Sequence, residues 1–327
     1  MRLPAPAKIN LHLRVGPPRA DGFHPLLTWM VTVGLFDTLV FIRRSISAAR
    51  RPRGRFSLST DHPALPTDDR NLVTRVATAL ADALEREGAA GRIGEGSTGA
   101  DRDGVSAFLN KKIPAGAGLG GGSSDAAAAL FGLNKLWRAN WSPQQLSDFA
   151  ARFGSDLSFF FHGPSSVCTG RGEIVRPVPR PAISRWAVLV LPQVEMPTPA
   201  VYRRFDEMRL GREQDLTDEP DWIAWSSLPA SELLPRLVND LEPPAFAIKP
   251  ELGELRAALE QKLSRIVRMS GSGSSLFTLC DDAAEAESLT RQARDASNVA
   301  AIAVEVAPEQ VTAPTAAAVA GAGATTS

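Results

Sequence analysis

The chain has 327 residues, of which 44 % are hydrophobic and 22 % charged, enough for about two domains and a full apolar core. Lys+Arg and Asp+Glu both number 36, and a net charge of zero argues against a general nucleic-acid binder. Two cysteines, Cys168 and Cys280, exclude a disulfide framework, and no apolar run reaches the ~18 residues of a membrane span. With no signal-like stretch after Met1, the chain is expected in the cytoplasm.

Near the N-terminus, Ile9, Leu11, Leu13 and Val15 alternate with Lys8, Asn10, His12 and Arg14. This pattern predicts a half-buried strand, with Lys8 and Asn10 on its open face. Asp21-Gly22 marks a turn that presents Phe23 and His24, an aromatic plane beside an imidazole. Residues 30–33, 38–42 and 56–59 are β-rich and predict further strands. The arginines between them, from Arg43 to Arg53, are expected in a solvated hairpin loop. Asn71-Leu72 opens a predicted helix that runs to about residue 88, and the Asn71 side chain can cap it. Residues 89–104 read as an exposed loop, and 105–113 as a strand.

That strand feeds the most distinctive stretch, Pro114-Ala115-Gly116-Ala117-Gly118-Leu119-Gly120-Gly121-Gly122-Ser123-Ser124, followed by Asp125 and an alanine run. Its glycines permit positive φ and close approach of a ligand to the backbone. Ser123 or Ser124 can cap the helix predicted from about 123 to 137. A glycine loop that opens into a helix N-terminus is a phosphate site, because free amides and the helix dipole both face the anion. A Walker A loop would need Gly-Lys-Ser/Thr, and no lysine stands there. A dinucleotide fingerprint is formally met by Gly116, Gly118 and Gly121. It needs a second strand after the helix, whereas Ser142-Pro143 starts another helix. A plain linker does not fit between a strand and an apolar helix.

Asp156 precedes the apolar run Leu157-Ser158-Phe159-Phe160-Phe161 and by itself reads as a helix cap. Gly170-Arg171-Gly172 is expected at a hairpin, and Pro177, Pro179 and Pro181 mark a boundary. Residues 186–191 read as a buried strand, a helix is expected to begin in 197–202, and 211–230 reads as loop. The second glycine-serine stretch, Ser270-Gly271-Ser272-Gly273-Ser274-Ser275, precedes a strand at 276–279 and reads alone as a tight hairpin. A helix at 283–296 and a strand at 299–306 follow, and the tail 312–327 has a disordered composition.

Three of these segments lie in the order of three signatures: Pro6-Ala7-Lys8-Ile9-Asn10-Leu11, Pro-x-x-x-Gly-Leu-Gly-x-x-Ser-Ser from Pro114, and the Gly271/Gly273 turn. Together they resemble the GHMP kinases. The resemblance implies a two-domain α+β fold with ATP and substrate in the cleft between domains at 1–180 and 181–311. It implies ATP phosphates on residues 114–124 and adenine near Asn71 and Leu72. Lys8 would stand beside the transferred phosphate, with Asn10 lining the same cleft. Asp156 would be the catalytic base, with Ser158 where the family usually has proline. Mg²⁺ would bridge the phosphates, without an identified protein ligand. Asp21-Gly22-Phe23-His24 is similar to a branch whose substrate carries cytosine, contacted by Phe23 and His24. Many members of that branch have tyrosine at position 23. Two other readings stay open: a relative acting on mevalonate, homoserine or a sugar, and a non-catalytic nucleotide-binding protein. All three take small molecules, with neither nucleic acid nor membrane as partner.

Overall fold

The computed structural model describes residues 1–44, 55–89 and 104–309. Arginines 50, 51 and 53, most of the 89–104 loop and the 312–327 tail lie outside the described residues. The chain starts with two long antiparallel strands, β1 (Arg2–Val15) and β2 (Leu26–Arg44), in register from Arg2↔Val40 to Val15↔Leu26. Pro4 and Pro6 lack an N–H and are tolerated because β1 borders the sheet. Segments 30–33 and 38–42 belong to one strand rather than two. Gly34 and Leu35 bulge out opposite the Pro6-Ala7 step, and pairing resumes beyond them.

Three elements build the first layer: β3 (Phe56–Thr60), α1 (Leu72–Ala89) and β4 (Gly104–Asn110). The phosphate-type loop follows, then α2 (Gly121–Leu136), α3 (Pro143–Ala150) and a 3₁₀ turn, Ser155–Phe161. Ser142 caps α3 in a reciprocal box with Gln145. The hairpin β5 (Ser165–Thr169) and β6 (Ile174–Pro177) closes the six-stranded sheet β3-β4-β2-β5-β6, with β1 on the other edge of β2. α1 and α2 cover the β2–β4 region through Leu80, Leu84, Leu130 and Leu133, and Leu146 and Phe149 of α3 join the same core. The alanines of α2 are buried, and their small size lets the helix sit close to the sheet.

The second sheet has the order β10-β7-β9-β8. It begins with β7 (Trp186–Leu191). Helices α4 (Thr198–Glu207), α5 (Gln214–Thr217), α6 (Trp222–Ser226), α7 (Ala230–Leu233), α8 (Glu242–Ile248) and α9 (Pro250–Leu263) follow. The chain then completes the sheet with β8 (Arg268–Met269), β9 (Leu276–Cys280) and β10 (Ala300–Glu305), the last reached through α10 (Ala283–Ser297). Both faces of β7 are buried, which explains its unbroken apolar sequence. Ala187 and Leu189 meet Ile9, Leu11 and Trp29 of the first sheet, while Val188 and Val190 meet Phe205, Leu259 and Leu289.

The half-buried reading of β1 gives way to burial on both faces, since Lys8, Asn10 and His12 are buried along with Ile9 and Leu11. The alternation separates two buried surfaces of different polarity. His12 is covered by Trp222 and Trp225, with ring centroids 5.6 and 5.5 Å away. Both tryptophans belong to α6, inside the stretch read as loop, where five residues are too few to show a helical period. Burial, reinforced by Arg14 and Arg268, pushes the His12 pKa down to about 3 and keeps its imidazole neutral.

Candidate active site

The loop between β4 and α2 borders a cavity of about 490 Å³. Every residue from Pro114 through Ser123 lines it. The helix starts earlier than the serines suggest. Gly120 is the N-cap, at φ 66°, and no side chain caps the helix. Ser123 and Ser124 therefore occupy the first turn instead of capping it. Ser123 faces the cavity, while Ser124 is buried with its hydroxyl unpartnered. A short side chain and free first-turn amides leave this end open to an anion.

The second glycine-serine turn is bonded directly to the first. Ser270 Oγ donates to the Gly118 carbonyl at 3.0 Å, and the Ser275 amide donates to the Ala117 carbonyl at 3.1 Å. Gly118 has φ +75°, and a Cβ there would overlap the Ser270 carbonyl oxygen and lie 2.9 Å from that of Gly273. Gly118→Ala is thus expected to cost at least ~1–3 kcal/mol in denaturant unfolding, from backbone strain and displacement of the partner turn. An unchanged unfolding midpoint would contradict this contact. Gly271 and Gly273 both have positive φ and line the same cavity. Asn239 holds their turn by donating to the carbonyls of Met269 and Gly271 at 2.7 and 2.8 Å.

Lys8 stands where the two turns meet. Its amide donates to the Leu119 carbonyl at 2.9 Å, and its stem runs along Gly120, where a Cβ would come within 2.9 Å of Lys8 Cγ. Lys8 Nζ donates to Asn10 Oδ1 at 2.7 Å, and Asn10 Nδ2 donates to Thr28 Oγ1 at 2.8 Å. This chain of bonds fixes the ammonium in an otherwise buried position. Asp156, which also lines the cavity, has its Oδ2 3.3 Å from Lys8 Nζ, and its side chain keeps 40 % exposure. Asp156 is the second residue of the 3₁₀ turn, anchored by buried Leu157 and Phe159. Ser158, where proline is usual, is also buried, and its hydroxyl donates to the Ser147 carbonyl.

Asn71 and Leu72 reach the cavity wall as well. The Asn71 side chain is engaged at the helix start, accepting from the Val73 amide and donating to the Pro66 carbonyl. Phe23 and His24 are placed differently. Phe23 is half-exposed, with the Arg171 guanidinium 4.9 Å from its ring. His24 is buried, and its Nδ1 donates to the Gly16 carbonyl at 2.9 Å while Nε2 faces Asp206 at 3.4 Å. Neither lines the cavity. Tyr202 does, and its ring centroid lies 5.1 Å from that of His24. Burial, reinforced by Asp156, pushes the Tyr202 hydroxyl pKa up, so it stays a neutral donor.

Sequence reasoning passed over Tyr202 as a wall, the Thr198–Ser272 hydroxyl pair at 2.8 Å, and a buried group of Asp37, Lys111 and Asp125. Asp125 could have been found from its place one residue after the paired serines. Thr198 and Tyr202 lie in the 197–202 segment expected to start a helix and Ser272 in the second glycine-serine stretch, while Asp37 and Lys111 carry no local signal. Among the described residues no cluster of three or more metal-ligating side chains occurs. No helix among them is long and apolar enough to cross a membrane.

Comparison with known proteins agrees with this fold. The family profile "GHMP kinases N terminal domain" matches residues 71–164, and "GHMP kinases C terminal" matches 228–298. The chain is 34 % identical to a 4-diphosphocytidyl-2-C-methyl-D-erythritol kinase of Microcystis aeruginosa, covering 89 % of this chain and 91 % of that one. It is 38 % identical to the protein of that name from Rhodococcus jostii, over 85 % and 83 %. A crystal structure of 4-(cytidine 5'-diphospho)-2C-methyl-D-erythritol kinase superimposes with TM-score 0.69 at 34 % identity, covering 94 % of this chain and all of that chain. A homoserine kinase from Cytophaga hutchinsonii shares the fold at TM-score 0.63 and 16 % identity, over 95 % and 96 % of the two chains. The chain belongs to the GHMP kinases and, within them, to the 4-diphosphocytidyl-2-C-methyl-D-erythritol kinases.

Proposed function

We propose that the chain transfers the γ-phosphoryl group of ATP to the 2-hydroxyl of 4-diphosphocytidyl-2-C-methyl-D-erythritol, within the non-mevalonate route to isoprenoid precursors. The observation that carries this reading is the facing of Lys8 and Asp156 on the cavity that the 114–123 loop also lines. Phosphoryl transfer asks the protein mainly for positioning and charge stabilisation. The loop amides and the α2 N-terminus supply the ATP phosphate site. Asp156 accepts or orients the proton of the substrate hydroxyl. Lys8 stabilises negative charge on the transferring group, already oriented by Asn10. When bound, Mg²⁺ would neutralise charge on the phosphates, and Asp156 is a cavity-lining carboxylate that could hold it.

For the cytosine end, Tyr202 offers a ring in the wall with His24 packed against it. His24→Ala is expected to raise KM for the cytidylated substrate about tenfold or more, with KM for ATP within about twofold. Equal changes in both would remove the cytosine role. The reaction itself is tested by ³¹P NMR of the product. A new phosphomonoester with the diphosphate intact is expected, and cleavage of the diphosphate would overturn the assignment.

We further propose the division at 1–180 and 181–311, supported by the first sheet ending at Pro177 and the second starting at Trp186. A cytoplasmic location is proposed on two free, buried cysteines, which suit a reducing compartment.

A further inference from the structure

A second group of buried charges lies beside the phosphate loop and takes no part in the chemistry above. Asp37 is on β2, Lys111 follows β4, and Asp125 is the fifth residue of α2. Asp37 is fully buried and Asp125 nearly so, at 0 % and 2 % exposure. Asp37 Oδ1 accepts the amides of Lys112 and Ile113, at 2.5 and 2.9 Å, from the two residues that lead into Pro114. Its Oδ2 accepts from Lys111 Nζ, which also donates to Asp125 Oδ2 at 2.8 Å. The segment entering the loop and the helix turn leaving it are thereby tied to one carboxylate on a separate strand. The two arms also touch, since a Cβ on Gly121 would lie 2.9 Å from Ile113 Cγ2 and 3.2 Å from Lys111 Nζ.

Buried ion pairs are weak sources of stability, because desolvation cancels much of their attraction. What this one supplies is a fixed separation between the two ends of a glycine loop that has little stiffness of its own. We propose that Asp37, acting through Lys111 and Asp125, is a positioning residue that holds both ends of the 114–120 loop so that its amides converge on the nucleotide phosphates. The proposal rests on the phosphate-loop reading given above.

The charge balance gives a second readout. Burial raises the Asp125 pKa to about 7, with Lys111 opposing the rise and Asp37 adding to it. The unpartnered Oδ1 of Asp125 is consistent with that direction. Burial works against the charge of Lys111, but Asp125 and Asp37 more than offset it and raise its pKa. The charged groups facing Asp125 are these two. With Asp125 protonated the group is neutral, and with Asp125 ionised it carries one negative charge beside an anionic ligand. Nucleotide affinity attributable to this group therefore falls as pH rises through about 7.

The test is ADP binding by calorimetry together with steady-state kinetics. Asp37→Asn keeps an oxygen for the two amides but removes the charge facing Lys111. It is expected to raise the ADP Kd and the ATP KM about tenfold, with KM for the cytidylated substrate within about twofold. Equal shifts for both substrates, or a lower Tm with unchanged ADP affinity, would reduce Asp37 to a structural charge and overturn the proposal. Asp125→Asn fixes the neutral form and covers the case in which Asp37→Asn folds poorly. Relative to wild type it is expected to bind ADP about equally near pH 6 and about threefold tighter near pH 8. The ionisation of ADP itself is common to both proteins and cancels in the ratio. Parallel pH profiles would overturn the proposal. Absence of ADP binding by the wild-type chain would overturn the phosphate-loop reading and this proposal with it.

Discussion

Asp156→Asn is expected to lower kcat by about 10³-fold while leaving ATP affinity within about twofold. Asparagine keeps the shape of the side chain and loses the anionic acceptor. Asp156 lies outside the glycine loop, on a 3₁₀ turn whose buried Leu157 and Phe159 hold it in place without its charge. The substitution therefore removes proton acceptance and the carboxylate charge that faces Lys8 without disturbing the phosphate site. Turnover and nucleotide binding measured on the same preparation separate these effects. Activity above about a tenth of wild type would show that Asp156 is not the group that handles the hydroxyl proton.

Lys8→Met is expected to cost about 10²–10³ in kcat, the scale of losing one charge donor aimed at a transition state. Methionine replaces the buried stem that lies along Gly120, so the change in volume is small. The ammonium that disappears is the one fixed by Asn10 at 2.7 Å and facing Asp156 at 3.3 Å. Asn10 retains its bond to Thr28, which limits the loss of stability. A raised KM with kcat preserved would instead make Lys8 a ground-state binder of ATP. In the double variant Lys8→Met/Asp156→Asn, the losses are expected to fall well short of the product of the single losses, because the two groups act on one transferring group.

Both glycine turns were readable in the sequence because their chemistry is local, whereas Lys8 and Asp156, the proposed catalytic pair, stood out only through the family resemblance, since alone they read as an open-face lysine and a helix cap. A loop that must present amides needs glycines in a row, and a strand that carries a buried lysine between apolar neighbours shows its period. The sequence also placed β7, β9 and α10 well, since each is long or apolar enough to show a pattern. Other features depend on partners distant in the chain. Asp37 and Lys111 are 74 residues apart, and each alone resembles a solvated charge. The burial of Lys8 and His12 follows from what covers β1, including two tryptophans in a helix of five residues. The serines after the glycines suggested a cap, but Gly120 in the left-handed region takes that place, four residues before Ser124. His24 illustrates the remaining limit. Its proximity to Phe23 in sequence says nothing of Tyr202, which the fold sets against it.

The most direct test of the central claim is ADP release with Mg·ATP and a panel of acceptors: 4-diphosphocytidyl-2-C-methyl-D-erythritol, mevalonate and homoserine. Turnover with the cytidylated polyol alone is the predicted result. Turnover with mevalonate or homoserine instead would keep the fold and the Lys8–Asp156 chemistry but contradict the substrate. No turnover with any acceptor, while ATP still binds, would contradict the kinase assignment and leave a nucleotide-binding protein on this fold.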